Sequence, residues 1–180
     1  TGFRRGELVG LHWDDIDFKN YKISINRSAY YLSGQPTSEK SPKTDLSVRT
    51  IVVPGICFDL LKQCRCEQSK MRLALGKSWN GAENVFTTAD GRIMNPATGP
   101  KWFSSFLARN GFPHIRFHDL RHTFATLLIS GNVDVKTVSH KLGHASTDTT
   151  LKFYVHDLES TDRASAELLE NMLISNVSIK

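Results

Sequence analysis

The sequence predicts a single domain of mixed class, mainly helical with a small antiparallel β-sheet. Three observations carry that reading. Segments 56–75 and 118–130 place apolar residues three and four apart, the spacing of one helix face. Segments 21–25 and 50–54 alternate or run as short strands between turn residues. The 180 residues, 39% hydrophobic and 23% charged, suffice for one core and contain no apolar run near membrane-spanning length.

In chain order, TGFRRGE (1–7) leads into Leu8, Val9, Leu11 and Trp13, an amphipathic helix that the acidic run 14–17 should end. Arg4 and Arg5 stand at or just before its first turn. Residues 21–25 form a strand, and 29–32 a second strand or its extension, broken at Gly34, Gln35 and Pro36. The polar stretch 38–49 reads as the turn of a small sheet, carrying Lys40, Lys43 and Arg49 as solvated charges, before the strand at 50–54. The helix at 56–75 has a stripe through Leu60, Leu61, Cys64, Met71 and Leu75, with Gly76 as its stop. Residues 84–94 read as a hairpin turning at Asp90 and Gly91.

Asn95 and Pro96 then read as an N-cap and first helical residue. That helix runs through Trp102, Phe103, Phe106 and Leu107, whose aromatics are expected in the core. Residues 118–130 follow as a helix with an apolar stripe through Leu120, Phe124, Leu127 and Leu128, stopped by Gly131 and Asn132. A short helix ends at Gly143, with His144 just beyond. Its approach from Gly131 and Asn132 offers only a weak hint of a helix-turn-helix. Ser146 or Thr147 caps a further short helix bearing Tyr154. The tail, 157–174, is amphipathic through Leu158, Leu168, Leu169, Met172 and Leu173.

A net charge of +5 and a pI near 9.2 point weakly to a polyanionic partner. Cys57, Cys64 and Cys66 are odd in number and lie on one helix, Cys64 and Cys66 pointing apart. They suit neither a disulfide framework nor a metal knuckle, and a reducing cytoplasm fits. The first twenty residues carry charges where a leader would be apolar. The start at Thr1, directly in a helical pattern, reads as a piece of something longer.

Chemistry concentrates in HDLRH (118–122). On a helix, His118, Arg121 and His122 share a face, and three cationic or cation-capable groups there ask for an anion. The same letters lie close to the zinc motif H-E-x-x-H, with His144 as a third ligand. Against that metallohydrolase reading, Asp119 is one methylene shorter than the expected Glu, and Arg121 would set a fixed positive charge beside a dication. A third reading is a basic DNA-binding module that keeps an old active site, although no catalytic position is visibly lost.

TGFRRGE with Arg4, PKT with Lys43, HDLRH with His118 and Arg121, LGH with His144, and the downstream Tyr154 together resemble the tyrosine recombinases, and among them the phage and conjugative-transposon integrases. Any one element is weak, whereas five in this order and spacing are specific. The resemblance spans nearly the whole chain. It implies the mainly helical catalytic fold of that family, a DNA breaking-rejoining fold, in an N-terminally truncated form. Residues 1–180 would be one catalytic-domain fragment, without the helices and DNA-clamping domain that precede it in the family.

The resemblance further implies a site-specific recombinase needing neither metal nor nucleotide cofactor, for integration or excision of a mobile element. Arg4 and Arg121 would hold the phosphate, while Arg5 falls outside the Thr-Gly-x-Arg pattern. Tyr154 would be the nucleophile, forming a 3′-phosphotyrosine. Lys43 would be the general acid, with Lys40 a weaker competitor. His118 would assist tyrosine deprotonation and His144 donate to the phosphate, with the proton-carrying histidine left open; His122 would be structural. The implied partners are double-stranded DNA, other protomers that the tail docks on, and accessory DNA-bending or excision factors, with no membrane. The expected setting is the bacterial cytoplasm.

Overall fold

The computed structural model describes residues 1–41, 48–144, 146, 147 and 150. The elements run α1 (Arg5–Val9), β1 (Ile16–Asp17), β2 (Lys22–Ile25), β3 (Ser28–Tyr30), β4 (Ser38–Lys40), β5 (Arg49–Val52), α2 (Gly55–Leu75), α3 (Thr98–Arg109), α4 (Asp119–Ser130) and α5 (Val135–Leu142). The mainly helical class with antiparallel strands is as expected. The strands divide into two sheets, a three-stranded β1-β2-β5 and a two-stranded β3-β4.

β2 and β5 pair antiparallel, with Ile23 opposite Ile51 and Ile25 opposite Arg49. Because side chains alternate across a strand, Ile23, Ile25, Arg49 and Ile51 all face inward. They join Phe3, Leu11, Ile16, Val53, Phe58, Leu61 and Val85 in one core. A buried residue of this size is worth about 1.5–3 kcal/mol, so this cluster anchors the N-terminal half. A second cluster, Ala125, Ile129, Val138 and Leu142, joins α4 to α5.

Several expectations change. The first helix stops at Gly10 instead of running to Trp13, because pairing with 83–85 takes over: Val85 N–H donates to the Leu11 carbonyl at 2.8 Å and Trp13 N–H to Glu83 at 3.1 Å. Residues 38–40, expected in a loop, are strand β4. Glu39 there is gripped by His12 Nε2 at 3.0 Å and by Asn84 Nδ2 at 2.6 Å. Arg49 is no solvated turn charge but a buried strand residue.

The stripe expected on α2 is mostly exposed, with Leu60, Met71 and Leu75 outside; only Phe58 and Leu61 are buried. The physical reason is size: three short strands cover only the first turns of a 21-residue helix. The hairpin at 84–94 forms as expected, with its turn at Asp90 and Gly91: Thr87 bridges Ile93, Thr88 N–H donates to the Arg92 carbonyl at 2.8 Å and Met94 N–H to the Phe86 carbonyl at 3.3 Å.

α3 begins at Thr98, later than expected. Asn95 caps a tight turn before it, accepting from the Ala97 N–H at 2.8 Å, and Pro100 occupies the first helical turn. Its aromatics are not core. Trp102 is 57% exposed, and it stacks on Phe106, which stacks on Phe112, at centroid distances of 5.3 and 6.3 Å.

Candidate active site

α4 carries the HDLRH segment, but its buried stripe differs from the one expected. Leu120 and Leu127 are exposed, and the inward positions are Arg121, Ala125 and Ile129, spaced four apart. A cation therefore heads the apolar stripe of its own helix, at 4% exposure. Such burial is tolerable only with hydrogen bonds in place. Arg121 has them: Nη1 donates to the Gly2 carbonyl at 2.6 Å and Nη2 to the Leu142 carbonyl at 2.7 Å.

α5 starts with a proper cap, the Asp134 side chain accepting from the Thr137 N–H at 2.9 Å. It ends at Gly143 in the left-handed region, φ +66°. The last carbonyls of a helix have no partner inside it. Here three successive ones each take a different arginine. The Lys141 carbonyl accepts from Arg49 Nε at 2.9 Å, the Leu142 carbonyl from Arg121, and the Gly143 carbonyl from Arg4 Nη2 at 2.6 Å. The negative end of the α5 dipole supports this cationic cluster.

Only glycine fits at 143. Apart from its φ, a Cβ there would lie 2.5 Å from Arg49 Nη1. Gly2 is constrained similarly, with φ +69° and a would-be Cβ 2.5 Å from the Phe124 ring.

One carboxylate, Glu7, balances the cluster. It is buried on α1 and receives the Arg4 backbone N–H at 2.9 Å and Arg4 Nη1 at 2.8 Å. It also receives Arg49 Nη1 at 3.1 Å and Nη2 at 2.9 Å. Burial pushes the Glu7 carboxyl up, but the hydrogen bonds and charges of Arg49 and Arg4 together outweigh it and hold it below the ordinary range. Three guanidinium groups against one carboxylate leave the cluster at about +2.

The two histidines sit in that positive field. Burial, and then the charges of Arg121 and Arg4, press His144 down to about 4, so it is neutral at pH 7. Its Nδ1 meets Thr150 Oγ1 at 2.9 Å, a side-chain partner instead of the helix carbonyls a simple cap would use. His118, at the N-cap of α4, is lowered by burial and then by His122 and Arg121. Its ring meets that of His122 edge-on, with centroids 5.0 Å apart. Arg121 itself falls to about 10, through burial first and the charge of Arg4 second, and stays protonated at neutral pH.

Beside the cluster opens a groove of about 760 Å³, where Arg4, Arg5, Lys40, Arg116 and His118 meet Tyr30 and Tyr31. Lys40 Nζ lies over the Tyr30 ring, 5.2 Å from its centroid. The groove is basic and open, suited to a long anion.

Of the residues singled out from the sequence, Arg4, His118, Arg121 and His144 come together. Lys43 and Tyr154 lie outside the described residues, as does the tail. Asp119, the base of the metal reading, is instead forked by Arg116, with Nη2 to Oδ1 at 2.8 Å. Among the described residues no three His, Cys, Asp or Glu side chains gather as a metal site. Arg49 and Glu7 were missed as site residues. The signal for Arg49 was present in the sequence, since it is in phase with Ile51 and Val53 on the buried face of its strand.

Comparison with known proteins gives concordant results. The model of the phage integrase family matches residues 1–161. A XerC-like tyrosine recombinase of Caldanaerobacter subterraneus subsp. tengcongensis is 34% identical over 185 residues, covering 97% of this chain and 47% of that protein. An integrase of Staphylococcus phage L54a is 31% identical over 176 residues, covering 96% of this chain and 49% of the integrase. The chain thus spans about half the length of these curated relatives. Among solved structures, the Tn1549 transposon integrase in complex with transposon right end DNA superposes with a TM-score of 0.81 at 24% identity, over 94% of this chain and 56% of that one. The XerA recombinase does so with a TM-score of 0.64 at 24% identity, over 85% of this chain and 48% of that one.

Proposed function

The chain belongs to the phage integrase family, and from that premise we propose that it is the catalytic domain of a tyrosine-type site-specific DNA recombinase. It acts in integration or excision of a mobile element, as one part of a longer protein with a DNA-clamping domain. The observation that carries this reading is the convergence of Arg4 and Arg121 on the end of α5, beside the basic groove.

The chemistry follows from these groups. A phosphodiester under attack gains charge on its non-bridging oxygens, and planar, permanently charged guanidinium forks answer it. Tyr154 Oη forms a bond to phosphorus as the bond to the 5′ oxygen breaks. The phenolic proton passes to a histidine, His118 or His144, and Lys43 protonates the departing 5′ oxygen. The phenolate is in turn a fair leaving group, so the reverse attack by a 5′ hydroxyl reseals the strand without ATP or metal. His144, neutral at pH 7, serves as a hydrogen-bond partner of the phosphate.

The partners in this reading are double-stranded DNA in the groove, further protomers on which the tail docks, and accessory DNA-bending or excision factors. The setting is the bacterial cytoplasm; among the described residues no helix is long and apolar enough to cross a membrane.

The test is trapping. The full-length protein, given a nicked duplex carrying its own site, forms a denaturant-resistant adduct that persists in chelator. Tyr154→Phe removes only the hydroxyl and abolishes the adduct while DNA binding stays. Chelator-sensitive cleavage without an adduct would overturn the reading, and an adduct surviving Tyr154→Phe would reassign the nucleophile.

A further inference from the structure

We propose that Arg49 is a positioning residue of the strand-cleaving site, holding Glu7 so that Arg4 remains available to the phosphate; this rests on the recombinase reading above. Its side chain is 1% exposed, and Nε, Nη1 and Nη2 all donate within the protein, so its part is to hold neighbouring groups and not the DNA. Among the described residues it holds Glu7, which also binds Arg4, and the carbonyl next to the two that accept from Arg121 and Arg4. Nη1 and Nη2 reach the two oxygens of Glu7 at 3.1 and 2.9 Å, and Nε reaches the Lys141 carbonyl at 2.9 Å.

The geometry around Glu7 is symmetrical. A carboxylate has about four lone-pair positions. Two are taken by Arg49, and two by the Arg4 side chain and backbone N–H. Half of the carboxylate's charge is therefore answered by a group that never meets the substrate. Without Arg49, Glu7 would turn its whole charge on Arg4 and draw that guanidinium inward, away from the groove. The cluster would also fall from about +2 to about +1. Meanwhile the Lys141 carbonyl, adjoining the two that hold Arg121 and Arg4, would lose its donor.

Among the described residues, the charged and titratable groups facing Glu7 are Arg4 at the N-cap of its own helix, Arg49 from β5 and Arg121 from α4, with His144 beyond α5 within the same field. This predicts a signature that a mere structural pin lacks. In Arg49→Met, Glu7 is buried with half its partners gone, and its carboxyl titrates higher. Protonation then releases Arg4, so the cleavage rate of that variant rises as pH falls through the new Glu7 value. The wild-type rate shows no such rise.

The experiment measures single-turnover cleavage of a nicked duplex by the full-length protein, together with DNA affinity, melting temperature and a carboxyl carbon-13 titration of Glu7. Arg49→Met is expected to slow cleavage about thirtyfold or more, with DNA affinity changed less than about threefold, and to gain the inverse pH dependence. Arg49→Lys keeps the charge without the fork, folds more readily, and is expected to slow cleavage by about fivefold or more. Cleavage that falls only in step with the folded fraction, with an unchanged pH profile, would overturn the inference. If the wild type forms no adduct, the recombinase reading fails on its own. The Glu7 titration still decides this one, because an unmoved Glu7 carboxyl in Arg49→Met would sink it.

Discussion

Arg121 ties two chain segments together, and in the proposed reaction it also faces the phosphate as a cation. Among the described residues, two of the five N–H donors of its guanidinium are spent, on the Gly2 and Leu142 carbonyls. Arg121→Lys keeps the charge but cannot serve both carbonyls. The variant should lose about 1–3 kcal/mol of stability, the cost of an unsatisfied buried acceptor, and cleave roughly a hundred- to a thousandfold more slowly. Denaturant melts and single-turnover rates on the same samples check both. His144 supplies a pH test. Its folded value, near 4, lies below that of the free side chain, so the unfolded chain takes up the proton first. The stability it contributes is complete above about pH 6.5 and is lost as pH falls towards 4; the lowered His118 acts in the same direction. His144→Gln should flatten that part of the stability–pH curve, and an unchanged slope would show that His144 is not the group responsible. At this scale the sequence was half legible. Helical spacing singled out His118 and Arg121, and the family resemblance added Arg4 and His144, yet nothing in a single residue's identity says that an arginine will be buried. That information sat in the phase of Arg121 with Ala125 and Ile129, and of Arg49 with Ile51 and Val53.

Among the elements, α5 matters most, because its C-terminal carbonyls collect the arginines. Gly143→Ala should be severe: the left-handed backbone disfavours any Cβ, and this one would also press on the Arg49 guanidinium. A loss of more than about 1 kcal/mol in stability should come with a larger loss in cleavage. Asp134→Ala supplies the contrast at the other end of the same helix. It removes the N-cap, should cost about 1 kcal/mol, and should leave the cleavage rate of the folded fraction nearly unchanged. Equal catalytic loss in the two variants would mean that general loosening of α5, not the arginine-holding turn, governs activity. The end of α5 was read from Gly143 as its stop, whereas the N-cap signal of Asp134 was present but missed. The short α1 was not readable, because pairing with 83–85 stops it, and that contact lies some seventy residues away in the chain. The exposed aromatics of α3 were equally hidden, since periodicity says which residues share a face but not whether anything covers it.

For the whole molecule, the fold brings a cationic cluster from the start of the chain, β5 and α4 to one edge of a basic groove. Phosphate-dominated binding to the groove should weaken steeply with salt through counterion release, and an affinity flat from low to physiological salt would count against it. In the proposed reaction Arg4 and Arg121 act on the charge that the scissile phosphate develops. The most direct measurement replaces one non-bridging oxygen of that phosphate by a methyl group, which removes its negative charge. Adduct formation by wild type and Arg121→Ala is then compared on the two substrates in the full-length protein. Arg121→Ala should be slowed by roughly a hundredfold or more on the natural phosphate, and by far less on the neutral one. An equal defect on both substrates would contradict the account, leaving Arg121 with a purely structural role.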